Sequence, residues 1–190
     1  MPYSIIHPPF TLSLREMPER EFRRYYQWFM DVLPERITVL ASAIKETSGF
    51  ESWLPDYTPA SLDTLGQWFS SQIETRSRTQ KEIQKIEECF GFPIDVATEE
   101  LTERTLSLAM DIGMYLSQVF LKNNPSLKWS QPLDDKKFVF YGQPVLTGFG
   151  KVELNPVDVM VVLARGLADQ TKTGNQLREL FDVWSRLIGC

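Results

Sequence analysis

The sequence predicts an α+β domain, mainly helical, with a small antiparallel sheet at about 127–154 set between N-terminal and C-terminal helices. Three observations carry this. Apolar residues recur at helical spacing over most of residues 18–122. After Pro125 the periodicity gives way to short runs rich in β-branched and aromatic residues, divided by Gly142 and Pro144. Helix signals then return at Asn155-Pro156. Strands collected in one stretch, instead of alternating with helices, exclude a doubly wound sheet.

Each element has a local reason. Residues 1–9 read as an extended N-terminal arm. Phe10, Leu12 and Leu14 alternate with Thr11 and Ser13, which predicts a half-buried strand or extended segment over Pro9–Leu14. Pro18 suits a first helical turn, and Glu19 and Glu21 favour the positive end of its dipole. Phe22, Tyr25, Tyr26, Phe29, Val32 and Leu33 form the apolar face, and Pro34 is expected to end or kink the helix. Ile37, Leu40, Ala41 and Ile44 resume the spacing up to Gly49.

A loop with Pro55 and Pro59 follows, and Ser61 is placed to cap a helix burying Leu62, Leu65, Trp68, Phe69 and Ile73. A charged helix spans roughly Thr79–Phe90, with Gly91 as its stop and Pro93 as the next breaker. The longest pattern runs from Thr98 to about Lys122. On a wheel of about 100° per residue, Glu100, Arg104, Ser107, Asp111, Gln118 and Lys122 form one polar stripe, expected to face solvent. Ala109, Gly113 and Ser117 line a small-residue face that another element can approach closely. Leu127–Ser130, Phe138–Tyr141 and Val145–Phe149 read as strands, with Val152–Leu154 as a fourth. Asn155 caps a helix with Pro156 in its first turn, and Gly174 and Asn175 precede the last helix.

Composition bounds the function. The chain has 190 residues, 43% of them apolar and 12% aromatic, which suits one folded domain over 1–190. A net charge of −5 argues against nucleic-acid binding, which rests on neutralising phosphates. The basic groups near Arg15–Arg24 and Arg76–Lys85 are answered by nearby acids, with Glu19–Arg23 and Arg78–Glu82 spaced as helical pairs. Two cysteines, Cys89 and Cys190, suit a reducing cytoplasm better than a secreted scaffold. The residues Met1–Pro9 lack the pattern of a targeting segment. The best membrane-span candidate, Thr105–Leu121, has 17 residues and contains Asp111, so no membrane association is expected.

The sequence shows no catalytic, cofactor-binding or metal-binding signature. His7 is the single histidine and sits in a proline-flanked stretch near the terminus. Gly142, Gly148 and Gly150 suit turns, and no phosphate-loop lysine follows them. The carboxylate pairs Glu87/Glu88, Glu99/Glu100 and Asp134/Asp135 lie in polar stretches. Cys89 follows two glutamates, which disfavour a thiolate and leave a structural role. Gln27-Trp28-Phe29 recurs as Gln67-Trp68-Phe69, with Arg36 and Arg76 at the same offset, but two copies do not make a repeat fold.

The candidate partner-binding residues are Phe50, Trp53, Asp56 and Tyr57 in the loop before Ser61, together with Trp129 on the sheet. Tyr and Trp are enriched at interfaces, and acidic Glu51 and Asp56 nearby favour a basic protein partner. The competing expectation is that these rings fold onto the core. Asp111-Ile112-Gly113-Met114-Tyr115-Leu116, running into Asn124-Pro125 and Lys128-Trp129, resembles a pattern in small bacterial domains of immunity-protein type. That resemblance covers about Thr98–Pro156 and implies a bacterial cytoplasmic setting and a protein partner. A protein-binding module, as in an immunity-like inhibitor of a toxin, is therefore the expected function. A carboxylate-based enzyme and a subunit of a homo-oligomer stay open as alternatives.

Overall fold

The computed structural model describes residues 3–9, 17–90, 92 and 94–189. The strand expected at Pro9–Leu14 falls almost wholly outside the described residues, as do Gly91, Pro93 and Cys190. Six helices and five strands appear in the order α1 (Glu19–Lys45), α2 (Ser61–Ser71), β1 (Thr75–Ser77), α3 (Gln80–Phe90), β2 (Glu99–Leu101), α4 (Glu103–Asn123), β3 (Lys128–Ser130), β4 (Val145–Phe149), β5 (Val152–Leu154), α5 (Pro156–Ala168) and α6 (Gln176–Ser185). The fold is α+β and mainly helical, with the three-stranded antiparallel sheet β3-β4-β5 between the helical halves as expected.

The central element is α4. Thr102 caps it by accepting from the Thr105 N–H, and its residues from Thr105 to Phe120 are buried almost all round, apart from Leu106 and Gln118. A helix apolar on most sides must be enclosed, and α1 and α5 pack directly against it. At Gly113 the backbones of α4 and α5 nearly touch: an added Cβ would lie 2.8 Å from the Pro156 carbonyl oxygen. That is the close approach the small-residue line predicts. α5 starts where the sequence requires, because the Asn155 side chain accepts from the Val157 and Asp158 N–H groups.

A second backbone contact joins α2 to α6. A Cβ on Gly66 would sit 2.0 Å from the Gly174 carbonyl oxygen, and one on Gly174 would sit 2.6 Å from the Gly66 oxygen. Phe120, Phe149, Phe181 and Trp184 form a chain of ring contacts that ties α4, β4 and α6 together.

Several expectations change. α1 continues through Pro34 without ending. Pro34 lies on the exposed side, and the buried row Leu33, Ile37, Leu40 and Ile44 holds both halves on the core. Ser61 is the first residue of α2 and not its cap. The preceding turn already winds into the helix, and the Ser61 hydroxyl bonds to the Thr58 carbonyl and the Tyr115 hydroxyl. Phe138–Tyr141 forms turns and no strand, with Phe138 N–H donating to the Asp135 carbonyl and Tyr141 N–H to the Phe138 carbonyl. Residues 99–101, expected to lie inside the long helix, instead form β2 and pair with β1 in the register Arg76↔Glu100. Arg78 bonds Glu100 and not Glu82, which pairs with Arg76 instead. Cys89 is exposed and takes no part in the core.

Among the described residues no helix is long and apolar enough to cross a membrane. The sequence echo breaks at its arginines: Arg36 is buried against α4, whereas Arg76 lies at the surface on Glu82 and Glu100.

Candidate functional site

Three places gather chemistry-bearing side chains, and they differ in what they leave free. The first is the carboxylate of Asp111, which the helix wheel assigns to solvent. It is fully buried. Arg36 of α1 donates to it through Nε (2.8 Å) and Nη2 (2.7 Å), and the Tyr3 hydroxyl donates to the second carboxylate oxygen. Burial raises the Asp111 carboxyl above its ordinary range, and the hydrogen bonds from Arg36 and Tyr3 push it back down.

The N-terminal arm completes this cluster. Arg36 Nη2 also reaches the Ser4 carbonyl (2.8 Å), the Ile6 N–H donates to Ser107 Oγ (2.8 Å), and the Tyr3 ring lies within cation–π range of Arg36 and Arg104. Both carboxylate oxygens are engaged by the fold itself. The arrangement is a clamp that pins residues 3–6 across α1 and α4. The polar stripe of the wheel is real, but α1 and the arm cover its middle instead of water.

The second place is the aromatic loop. Trp53 is 4% exposed and plugs the core, with its indole N–H on the Ser61 carbonyl at 3.0 Å. This burial removes Trp53 from any surface the chain presents. Phe50 and Tyr57 are half-buried against the same core. Tyr57 adopts a positive φ of 61° and stacks on Tyr115, whose hydroxyl accepts from the Tyr57 N–H. The Lys122 ammonium lies 3.5 Å from the Tyr57 ring centre, and Asn123 Nδ2 donates to the Tyr57 carbonyl. Asp56 is exposed, but its carboxylate accepts from Thr58 N–H and Oγ1 and so shapes the turn. Trp129 is half-buried on β3, edge-on to Phe29 of α1. The structure thus packs four of the five predicted residues, Phe50, Trp53, Tyr57 and Trp129, in or against the core and leaves Asp56 at the surface.

The third place was not singled out by the sequence reading. α3 is amphipathic, with Ile83, Ile86 and Phe90 on one side, yet it has no buried residue. Every other helix described buries part of its apolar face. A cleft of about 880 Å³ opens between α3, the β1–β2 ribbon, the first turn of α4 and the end of α5. Ile86, Phe90, Val96, Leu101, Leu106 and Ala168 give it apolar walls, and acidic Asp95, Glu99 and Asp169 stand at its edge. Phe90 is 54% exposed, Phe92 61% and Leu106 41%.

The ribbon that positions this cleft is held by charge. Arg78 bonds Glu100 at 3.1 Å and the carbonyls of Ala97 and Glu99, and Arg76 bridges Glu82 and Glu100. Arg76 and the Thr79 N–H and hydroxyl together hold the exposed Glu82 carboxyl down at about 2. The signal for this cleft was present in the sequence as the i, i+3, i+7 spacing of Ile83, Ile86 and Phe90 inside a segment that reads as merely charged. No protein-family model, curated protein or solved structure matches the chain.

Proposed function

We propose that this protein is a protein-binding module whose docking surface is the cleft beside α3. One observation supports the reading above the rest: among the described residues α3 carries an apolar stripe with no fully buried member, Ile83 and Ile86 half-covered and Phe90 exposed. Water-exposed Phe90 and Leu106 line one concavity, with exposed Phe92 edge-on to Phe90, and contiguous apolar surface of this kind marks interaction sites. The similarity of the stretch around Thr98–Pro156 to immunity-protein-type domains extends the proposal. On that view binding occludes a toxin in the bacterial cytoplasm.

Site-specific photo-crosslinking tests this reading. A photoreactive phenylalanine analogue at Phe90 or Leu106 is expected to trap a discrete protein adduct in extract from the native cell. The same analogue at Val183, which is exposed on α6 away from the cleft, serves as the control. Equal labelling at Val183 and at the two cleft positions would refute the docking surface.

A further inference from the structure

We infer that the cleft beside α3 takes an amphipathic helix whose apolar face is flanked by lysine or arginine. This rests on the reading of the cleft as a docking site and goes further by naming the occupant.

Shape argues for a helix. α3 lines the cleft with Ile86 and Phe90, four residues and about 6 Å apart at the rise of an α-helix, the spacing of one turn of a partner helix. The opposing apolar groups, Leu106 and Ala168, also project from helices. An apolar lining drawn from side chains of three helices suits the arrangement in which a helix lays its i, i+3, i+4 anchors into a groove. A strand is a poorer fit. β1 is three residues long, and its central Arg76 is tied to Glu82 and Glu100.

Charge argues for a basic flank. The lining carries four carboxylates, Asp95, Glu99, Glu100 and Asp169, against two guanidinium groups, Arg78 and Arg165. Arg78 and Glu100 pair with each other, and Arg76 adds a second ion pair to Glu100, so both drop out of the balance and Asp95, Glu99 and Asp169 stand against Arg165. Asp95 and Glu99 are exposed at the mouth. Complementary potential selects partners of opposite charge and steers their approach. The same acidic edge disfavours an anionic lipid surface and a second copy of this cleft.

The test uses three labelled model helices of about 18 residues, long enough to form several turns. Each presents a leucine face flanked by lysine, glutamine or glutamate. Fluorescence anisotropy is read on the intact chain, on Leu106→Glu and on Asp95→Lys/Glu99→Lys, with circular dichroism confirming that each variant is folded. The lysine helix is expected to bind the intact chain at least about tenfold more tightly than the glutamate helix at low salt. Leu106→Glu should weaken it by about tenfold or more, and the charge-reversed variant should erase the preference for lysine.

Equal binding of all three helices, or preference for glutamate, would overturn the basic occupant while leaving the docking cleft standing. Binding that Leu106→Glu leaves unchanged, or no binding at all, would overturn the cleft and the occupant together. Groove-dependent self-association in sedimentation, or adsorption to phosphatidylglycerol vesicles lost in Leu106→Glu, would overturn the occupant in favour of a second copy or a membrane.

Discussion

Replacing Asp111 with Asn isolates the buried ion pair, because it removes one charge and almost no volume. In the native protein Arg36 directs Nε and Nη2 at the two carboxylate oxygens, and both side chains are almost wholly out of water. The amide keeps one acceptor, so one of the two guanidinium bonds can survive. The guanidinium, however, is left as an unpaired charge in the interior, with only the Ser4 carbonyl and Tyr3 hydroxyl as further acceptors. Removing one partner of a buried pair typically costs about 3–5 kcal/mol. The surviving bond and the desolvation cost that the native carboxylate itself carries place Asp111→Asn near the low end, about 3 kcal/mol.

Replacing both partners by apolar residues, Arg36→Met with Asp111→Leu, should cost much less than the sum of the single changes, since no buried charge remains. Urea unfolding followed by the fluorescence of the five tryptophans measures all the variants. A loss below about 1 kcal/mol for Asp111→Asn at an unchanged urea slope would mean that the pair behaves like an exposed one and that the clamp argument is wrong.

Trp53→Ala should destabilise the fold by about 3–5 kcal/mol in the same urea assay, because the indole fills the core and its N–H holds the Ser61 carbonyl. Gly66→Ala should cost more than about 2 kcal/mol, since its Cβ would overlap the Gly174 carbonyl oxygen, which is backbone and cannot swing aside; a melting temperature near the native value would refute the α2–α6 contact. Burial pushes the Tyr25 hydroxyl up to about 12. The unfolded chain releases that proton near 10 while the folded chain keeps it, so this contribution is intact below pH 10 and is lost as pH rises towards 12, by roughly 3 kcal/mol in all. Urea unfolding at pH 9 to 12 should show Tyr25→Phe with a shallower decline than the native chain, and parallel declines would refute the assignment.

The elements legible in the sequence are those set by local chemistry. Asn155 and Pro156 start α5 because the orphan N–H groups of a first turn need an acceptor and a proline lacks one of them. The burial of Gly113 follows from the small-residue line alone. The aromatic run Phe138–Tyr141 misleads because strand propensity is largely a matter of packing. Here the backbone closes successive turns, and the Gly142 N–H donates to the Pro132 carbonyl, while Phe138 and Phe140 meet edge to face. The β1–β2 ribbon was missed for a related reason. Each strand has three residues, and they pair across a separation filled by α3, so neither carries a periodic signal of its own.

The sequence by itself determined the class of the fold, the caps and breaks of its later helices, and the apolar stripes of each helix. Those properties depend on neighbours within one or two turns along the chain. Only the tertiary structure decided which stripe is covered and by what. The polar stripe of α4 was predicted to meet water, yet at Asp111 it meets Arg36, 75 residues away, and Tyr3, 108 residues away. The apolar stripe of α3 looks as suited to burial as those of its neighbours, yet among the described residues it is only half-covered at Ile83 and Ile86 and stays exposed at Phe90. Periodicity specifies the chemistry of a helix face, but the partner of that face is set by contacts between residues distant in sequence, to which a local pattern is blind.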